Sequence, residues 1–453
     1  MRKIFLLFYS VFHLILSAQD GALDLNFNTG AGPNGYNIMA MGLQKDGKII
    51  VAGDFTTYDG IARKGIARLN NDGSIDQNFD IGAGLEGRVL NIVVQEDGKI
   101  IITGDFTKFN NIEKRFVTRL NADGSLDDTF NAGGSGANTS IYSVVQQPDG
   151  KILIAGDFHY YNGVPRGKVA RLNTDGSLDS TFDSSVGSNN NLNSVVLQSD
   201  GKVLIGGYTS TYNNIARTTI ARLNSNGSLD TSFNPIGSGG NLPINTMTVQ
   251  PDGKIIICGA FPSFNNVETG GIARLNADGS LDTTFVKSNL GRANSAIVLP
   301  NGKILINGGS FSTNILHRLK SDGSTDKLFD IGGAVRRMIL QPDGKILVCG
   351  YFNSFNGVNK KQIVRINGED ILSVSDNEKN SVKIYPNPVK DILHIKNDNE
   401  ISEFEIYSME GKKLMTGNDI NNSKLDVTIL QKGNYLIKLK SKGKEQTTKF
   451  IKE

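Results

Sequence analysis

A tripeptide, Asp-Gly-Lys or Asn-Gly-Lys, recurs seven times in this 453-residue chain, with its glycine at Gly47, Gly98, Gly150, Gly201, Gly253, Gly302 and Gly344. The intervals are 51, 52, 51, 52, 49 and 42 residues. A period near 50 residues means one supersecondary unit per repeat, so the chain must stack such units in a row or in a ring. An Arg-Leu-Asn-like triplet follows each tripeptide, beginning at Arg68, Arg119, Arg171, Arg222, Arg274, Arg318 and Arg365. A third motif, Asp-Gly-Ser-Leu-Asp-x-x-Phe and its variants, starts at Asp20, Asp72, Asp123, Asp175, Asn226, Asp278 and Asp322.

Each repeat reads as a small antiparallel sheet. In the third, residues 141–146 form an apolar run that ends in a Gln-Pro-Asp-Gly turn, and Asp-Gly predicts a type I′ hairpin. Residues 151–156 follow as a short run rich in β-branched residues, the pattern of a strand covered on both faces. A second hairpin through Tyr161-Asn162-Gly163 leads to residues 168–173, and a turn at Asp175-Gly176 leads to an edge strand over 177–182. Glycine supplies 52 residues, well above the usual ~7%, which suits many tight turns.

Seven such sheets fit a ring of blades better than the alternative, an open β-solenoid. The first copy of the third motif precedes the first tripeptide, and the last Arg-Ile-Asn has no copy after it. The N-terminal segment therefore has the part to complete the seventh blade, and residues 20–28 are expected to pair with 361–367. The pattern V-Q-P-D-G-K-I-L-I-x-G-D-F followed by I-A-R-L-N-x-D-G-S-L-D-x-x-F resembles the delta-60 repeat of bacterial β-propellers, and that resemblance implies the fold without an activity. The expected propeller spans 19–370. Blade six departs from the pattern, with a shorter second hairpin.

Both ends read as addresses. Arg2 and Lys3 precede an apolar stretch to Leu16, too short for the ~20 residues of a membrane span, so residues 1–18 are expected to be a signal peptide cut between Ala18 and Gln19. Residues 371–381 are polar and read as a linker. From 382 to 453, seven short alternating strands predict a small β-sandwich of immunoglobulin-like type. Tyr385-Pro386-Asn387-Pro388, Leu393-His394-Ile395, a later segment through Gly411, and Gly433-Asn434-Tyr435 resemble the type A sorting domain of the type IX secretion system. That resemblance implies a Gram-negative source, Sec export, passage across the outer membrane by the type IX machinery, and a secreted or surface destination. The fold class expected overall is all-β: a seven-bladed β-propeller followed by that sandwich.

Composition removes several functions. Two cysteines exclude a disulfide framework, and four histidines leave little for zinc. A net charge of +3 argues against nucleic acid as the main partner. Two G-x-G-x-x-G segments, Gly30–Gly35 and Gly82–Gly87, precede strands where a dinucleotide site needs a helix N-terminus. The Asn-x-Asp-Gly-Ser-x-Asp segment at 121–127 hints at structural calcium, but its glycine stands at position 4 rather than 6, so an Asx turn is the plainer reading and no cofactor is expected. The seven triplet arginines recur in every blade and read as architecture, paired with nearby Asp.

Function should break the sevenfold symmetry. After the second strand, three consecutive blades carry Asp54, Asp105 and Asp157, where others have Tyr208, Ala260, Gly309 and Tyr351. Blade three adds His159, Tyr160 and Tyr161. These six residues are the candidate ligand patch, with no catalytic or metal residues assigned. The expected function is an exported propeller that binds a glycan or protein as an adhesion scaffold. The alternatives are a structural or self-assembling surface protein, and a polysaccharide-directed hydrolase or lyase, which would need two carboxylates about 5–9.5 Å apart.

Overall fold

The computed structural model describes residues 20–235, 237–287, 290–308, 315–368, 383–396, 403–408, 413–417, 424–441 and 444–453. The expected signal peptide with Ala18 and Gln19, the linker, Gly309 and Gly411 lie outside the described residues. The chain divides into two compact units, Met1–Glu369 and Asp370–Glu453. Among the described residues there is no helix.

The first unit is a ring of seven antiparallel blades. In blade one, Ile38–Leu43 pairs with Ile49–Gly53, which pairs with Ile66–Leu69. The fourth position is a single bridge, Leu69 to Ile75, and blades two to five repeat it. The edge strand expected over 177–182 is thus reduced to Leu172 facing Leu178. In blade six the fourth strand is longer and runs without a break into the first strand of blade seven, as Thr325–Leu340. The innermost strands of successive blades pack side by side, and Ile38–Leu43 packs against Thr325–Leu340, which closes the ring. In blades one to six the second strand is buried along its whole length, for example Ile152–Gly156, and in blade seven it is buried over its first five residues. Interlocked Ile, Leu and Val there each stabilise the fold by about 1.5–3 kcal/mol.

Closure is also made at the outer edge. Asn367 and Arg365 accept backbone bonds from Gly21 and Asp24, Asn367 donates to Ala22, each at 2.8 Å, and Leu23 bridges Ile366.

The three repeated motifs meet at one place in each blade. In blade three the Lys151 ammonium (2.9 Å) and the Arg171 Nε (2.7 Å) both donate to Asp179 Oδ2. The same triad recurs as Lys48, Arg68 and Asp76; Lys99, Arg119 and Asp127; Lys202, Arg222 and Asp230; Lys254, Arg274 and Asp282; Lys303, Arg318 and Asp326; and Lys345, Arg365 and Asp24. Each arginine then reaches the next blade: Arg119 donates to the Thr174 carbonyl at 2.6 Å, and Arg171 to that of Ser225. In six blades the guanidinium lies over the motif phenylalanine, 4.7–5.0 Å from its centroid, from Arg68 over Phe79 to Arg365 over Phe27. A planar cation that stacks, pairs and bridges explains why the triplet carries Arg and never Lys.

One turn differs from the sequence reading. In the Asp-Gly-Lys hairpin, Gly47 donates to Gln44 and Gln44 to Lys48, and within that loop only the glycine has positive φ (84°). This is a three-residue loop with a glycine bulge, not a two-residue type I′ turn. The inner hairpins, such as Asn162 (49°) and Gly163 (75°), do have positive φ at both central residues.

The second unit has two antiparallel sheets around one core. Lys383–Tyr385, Ile392–Lys396 and Lys424–Asp426 form one, and Glu403–Ser408, Lys413–Gly417, Gly433–Ser441 and Lys444–Lys452 the other. Leu393 and Ile395 from the first meet Ile406, Ile437 and Phe450 from the second.

Candidate functional site

The first strand of every blade carries a one-residue bulge at the same place. Ile38 faces Gly53 and Ala40 faces Ala52, so Met39 is the extra residue. The equivalents are Leu90, Tyr142, Asn193, Asn245, Asn294 and Arg336. The glycine opposite the bulge is needed for close approach. In six blades a Cβ there would stand 2.0–2.3 Å from a carbonyl oxygen at the start of the first strand, such as Gly156 against Ser140. A bulge re-aims its side chain. All seven bulge residues line a single cavity of about 380 Å3, to which every blade contributes and which therefore lies on the ring axis. Arg88, Ser143, Ser194, Tyr208, Thr246, Arg292 and Arg337 complete its described lining.

In the first five blades the residue that follows the second strand lies beside the start of the first strand, next to the bulge, and one of these residues, Tyr208, lines the cavity. Asp54, Asp105, Asp157, Tyr208 and Ala260 each donate a backbone bond to the segment leading into the first strand of their blade. Asp105 is bound to Arg88: its Oδ1 accepts the Arg88 amide at 2.8 Å and its Oδ2 the Nε at 2.9 Å. The Asp105 bond, joined by the more distant Asp54 charge, holds the Arg88 guanidinium above its ordinary range against the opposing effect of burial. Asp157 is bound to Lys168, whose ammonium lies 2.8 Å from Oδ1 and 3.0 Å from His159 Nε2. Tyr142 joins these two clusters. Its burial, then the Asp157 and Asp105 carboxylates, push the phenol up.

The six patch residues are not in the cavity's described lining, but Asp105 bonds the lining residue Arg88, Asp54 acts on Arg88 at longer range, and Asp105 and Asp157 act on the lining residue Tyr142; the two patch tyrosines are separated from each other. Tyr160 is exposed on the Tyr160–Tyr161 hairpin, whereas Tyr161 is fully buried and donates to the Gly176 carbonyl at 2.7 Å. Tyr161 thus serves packing and has no ligand-facing surface. The sequence reading missed the bulge ring. Its signal was there, since the bulge position is Met, Leu, Tyr, Asn, Asn, Asn or Arg while the position before it is apolar in every blade.

The other motifs have structural partners. Asp123 Oδ1 accepts the Ser125 amide and hydroxyl at 3.0 and 2.7 Å, and the Asp127 carboxylate accepts Lys99, Arg119 and Thr129. Calcium would have to displace two cations and an Asx turn there. The Gly82–Gly87 segment contains the short strand Leu85–Glu86, which pairs with Lys108–Phe109. Cys258 and Cys349 are buried free thiols, and burial pushes both up, Cys349 to about 12.

In the second unit, the Tyr385 ring stacks on His394 with centroids 5.3 Å apart. Asn387 pins the last strand, its Oδ1 accepting the Ile451 amide at 2.8 Å. Tyr435 stacks on Phe450 at 5.6 Å and donates to Gln431 O at 2.7 Å, and Gly433 opens its strand.

Comparison with known proteins gives two family matches. The model described as "Domain of unknown function (DUF5122) beta-propeller" matches residues 44–79, 95–130, 147–182, 198–233, 250–285, 299–329 and 341–369, more than half the chain. A secretion system C-terminal sorting domain matches 383–453. No protein of curated function matches. Among solved structures, the WD40 β-propeller domain of Doa1 is 15% identical with a TM-score of 0.49, over 75% of this chain and 95% of that one. PorZ, an essential bacterial surface component of the type IX secretion system of Porphyromonas gingivalis, is 11% identical with a TM-score of 0.44, over 93% of this chain and 60% of that one. The extracellular domain of the putative hybrid two-component system BT3049 from B. thetaiotaomicron is 13% identical with a TM-score of 0.45, over 93% of this chain and 55% of that one. The chain thus spans under two thirds of the latter two.

Proposed function

The chain belongs to the DUF5122 β-propeller family and ends in a secretion-system sorting domain, and from that premise we propose that it is a binding scaffold whose ligand seats in the mouth of the axial channel. The sorting domain marks it for the secretion machinery and for the cell surface or beyond. Among the described residues no helix is long and apolar enough to cross a membrane.

One observation carries the binding reading. The triads and turns that build the blades repeat around the ring, while the seven bulge residues, all aimed into one cavity, are of five kinds: Met, Leu, Tyr, Arg and three Asn. Scaffolding alone gives no reason for this axis-facing position to range so widely while the position before it stays apolar in every blade. The hydrolase reading has less support, because Asp105 and Asp157 are engaged by Arg88 and Lys168.

The test is a screen of the full chain against immobilised glycans and peptides, with Tyr142→Ala and Asn245→Ala as variants. Binding without turnover, lost in both variants while the melting temperature holds, is the expected result. Concentration-dependent assembly with no ligand, unaffected by either variant, would favour the self-assembling alternative.

A further inference from the structure

We infer that the channel mouth binds an anion: a compact ligand carrying a carboxylate, sulfate or phosphate, held by Arg292, Arg336 and Arg337. This rests on the reading of the mouth as a binding site and adds the chemistry of what it takes.

The charged residues among the cavity's described lining are four, and all are arginine: Arg88, Arg292, Arg336 and Arg337. Arg88 is neutralised by Asp105. The other three have no carboxylate partner among the described residues. Elsewhere in the propeller, each triplet arginine is matched to an aspartate, seven times out of seven. Outside the cavity, Arg63, Arg166 and Arg217 also lack a carboxylate partner among the described residues, but each gives a guanidinium bond to a backbone carbonyl next to it, at Ala62, Pro165 and Ala216; in the cavity three arginines without a carboxylate share one space.

Arg336 is the bulge residue of blade seven and Arg337 follows it, so one deviation in strand register delivers two guanidinium groups to the same space. Arg337 donates to the Leu90 carbonyl at 3.3 Å, reaching from blade seven to blade two. Arg292 arrives from blade six, one residue before its first strand. Like charges gathered in a concave, partly dry space repel, and an anion there relieves them. Burial, with the Arg336 charge beside it, pulls Arg337 down from its usual range.

Arginine is also the side chain whose fork fits a carboxylate, sulfate or phosphate with two parallel bonds. The adjoining wall suits a hydroxylated body. Asn193 and Asn245 spend their amide nitrogens on the Ile244 and Ala293 carbonyls, both at 3.0 Å, which fixes these side chains and leaves their Oδ1 atoms as acceptors. The volume lies within the ~300–1,000 Å3 range of small-molecule sites.

Calorimetry on the full chain at low and high salt tests this with glucuronate, glucose 6-phosphate, a sulfated disaccharide and, as the neutral control, glucose. The expected result is that at least one anionic probe binds, that glucose does not, and that affinity falls as salt screens the site. Arg292→Gln and Arg336→Gln should each weaken that probe roughly tenfold or more, and Arg63→Gln, which is not among the cavity's described lining, should not. Loss of binding only below the probe's own acid pKa identifies a carboxylate, whereas persistence to low pH identifies sulfate. The ligand-free melting temperature of Arg336→Gln should hold or rise, since a repelled charge is removed. Equal binding of glucose and glucuronate, or binding indifferent to both arginine variants, would overturn the anion while leaving the mouth as a binding site. If no probe binds, the anion proposal fails, and the glycan and peptide screen decides the broader reading separately.

Discussion

Replacing Asp24 by Asn tests how the ring is closed. The Asp24 carboxylate accepts Arg365 Nε at 2.8 Å, Lys345 Nζ at 2.9 Å and the Asn26 amide at 3.0 Å. Asp24 and Arg365 side chains are each only 5% exposed. Asparagine keeps the shape but removes the charge, which leaves a buried guanidinium without its counter-ion. Breaking a buried pair from one side costs about 3–5 kcal/mol, a large part of the ~5–15 kcal/mol that holds a domain together. Asp179→Asn is the control, because it removes the same contacts from Arg171 and Lys151 in a blade whose strands are contiguous in sequence. The two variants should cost similar amounts in urea unfolding. They should differ in where the protein opens. Only Asp24→Asn should speed hydrogen exchange at the Gly21, Asp24 and Asn367 amides, which tie the N-terminal segment to the seventh blade. A cost below about 1 kcal/mol, with exchange at those amides unchanged, would refute the account of closure.

Three further predictions concern the scaffold and the tail. In Asp127, burial raises the carboxyl but bonds from Thr129, Lys99 and Arg119 outweigh it, and the six other triad carboxyls also sit below their ordinary range. Depressed folded values mean stability that is full above the unfolded pKa and is lost as pH falls through the folded one. Urea titrations should thus be flat from pH 7 to about 5 and drop below about pH 4, with each carboxylate adding up to ~1.4 kcal/mol per pH unit; a slope no larger than one group's would count against the triads. Gly156→Ala, whose Cβ would stand 2.2 Å from the Ser140 oxygen, should destabilise the fold by about 1–3 kcal/mol in the same assay, and a neutral result would mean that the bulge can shift. Asn387→Ala should free the last strand of the second unit and lower the exported fraction measured by immunoblot of culture supernatant, whereas Thr428→Ala, an exposed turn residue in the same unit, should not.

Much of the fold could be read because the repeat supplies its own controls. Arg171 and Asp179 lie eight residues apart, on a strand and the turn after it, so their pairing is a local matter that spacing announces. The Asp-Gly turn was misjudged because type I′ and the glycine-bulge loop share the same dipeptide and differ only in the φ of the aspartate. The candidate patch was half legible. Asp105 and Asp157 act on the lining residue Tyr142, but their partners Arg88 and Lys168 come from 17 and 11 residues away across a strand pairing that the composition does not show. Tyr160 and Tyr161 are neighbours with opposite fates, because successive residues of a strand face opposite sides and only the packing decides which side is core.

By itself, then, the sequence determined the number of blades, the order of their strands and the pairing of each triplet Arg with a nearby Asp. These depend on short-range spacing repeated seven times. The cavity was decided by tertiary structure alone. A bulge residue points to the axis only when its strand is in register, and the axis exists only when blade seven meets blade one. Arg337 and Leu90 are 247 residues apart and touch because the ring closes. That closure brings seven bulge side chains of five kinds, Arg336 among them, and two further arginines without carboxylate partners among the described residues into one space.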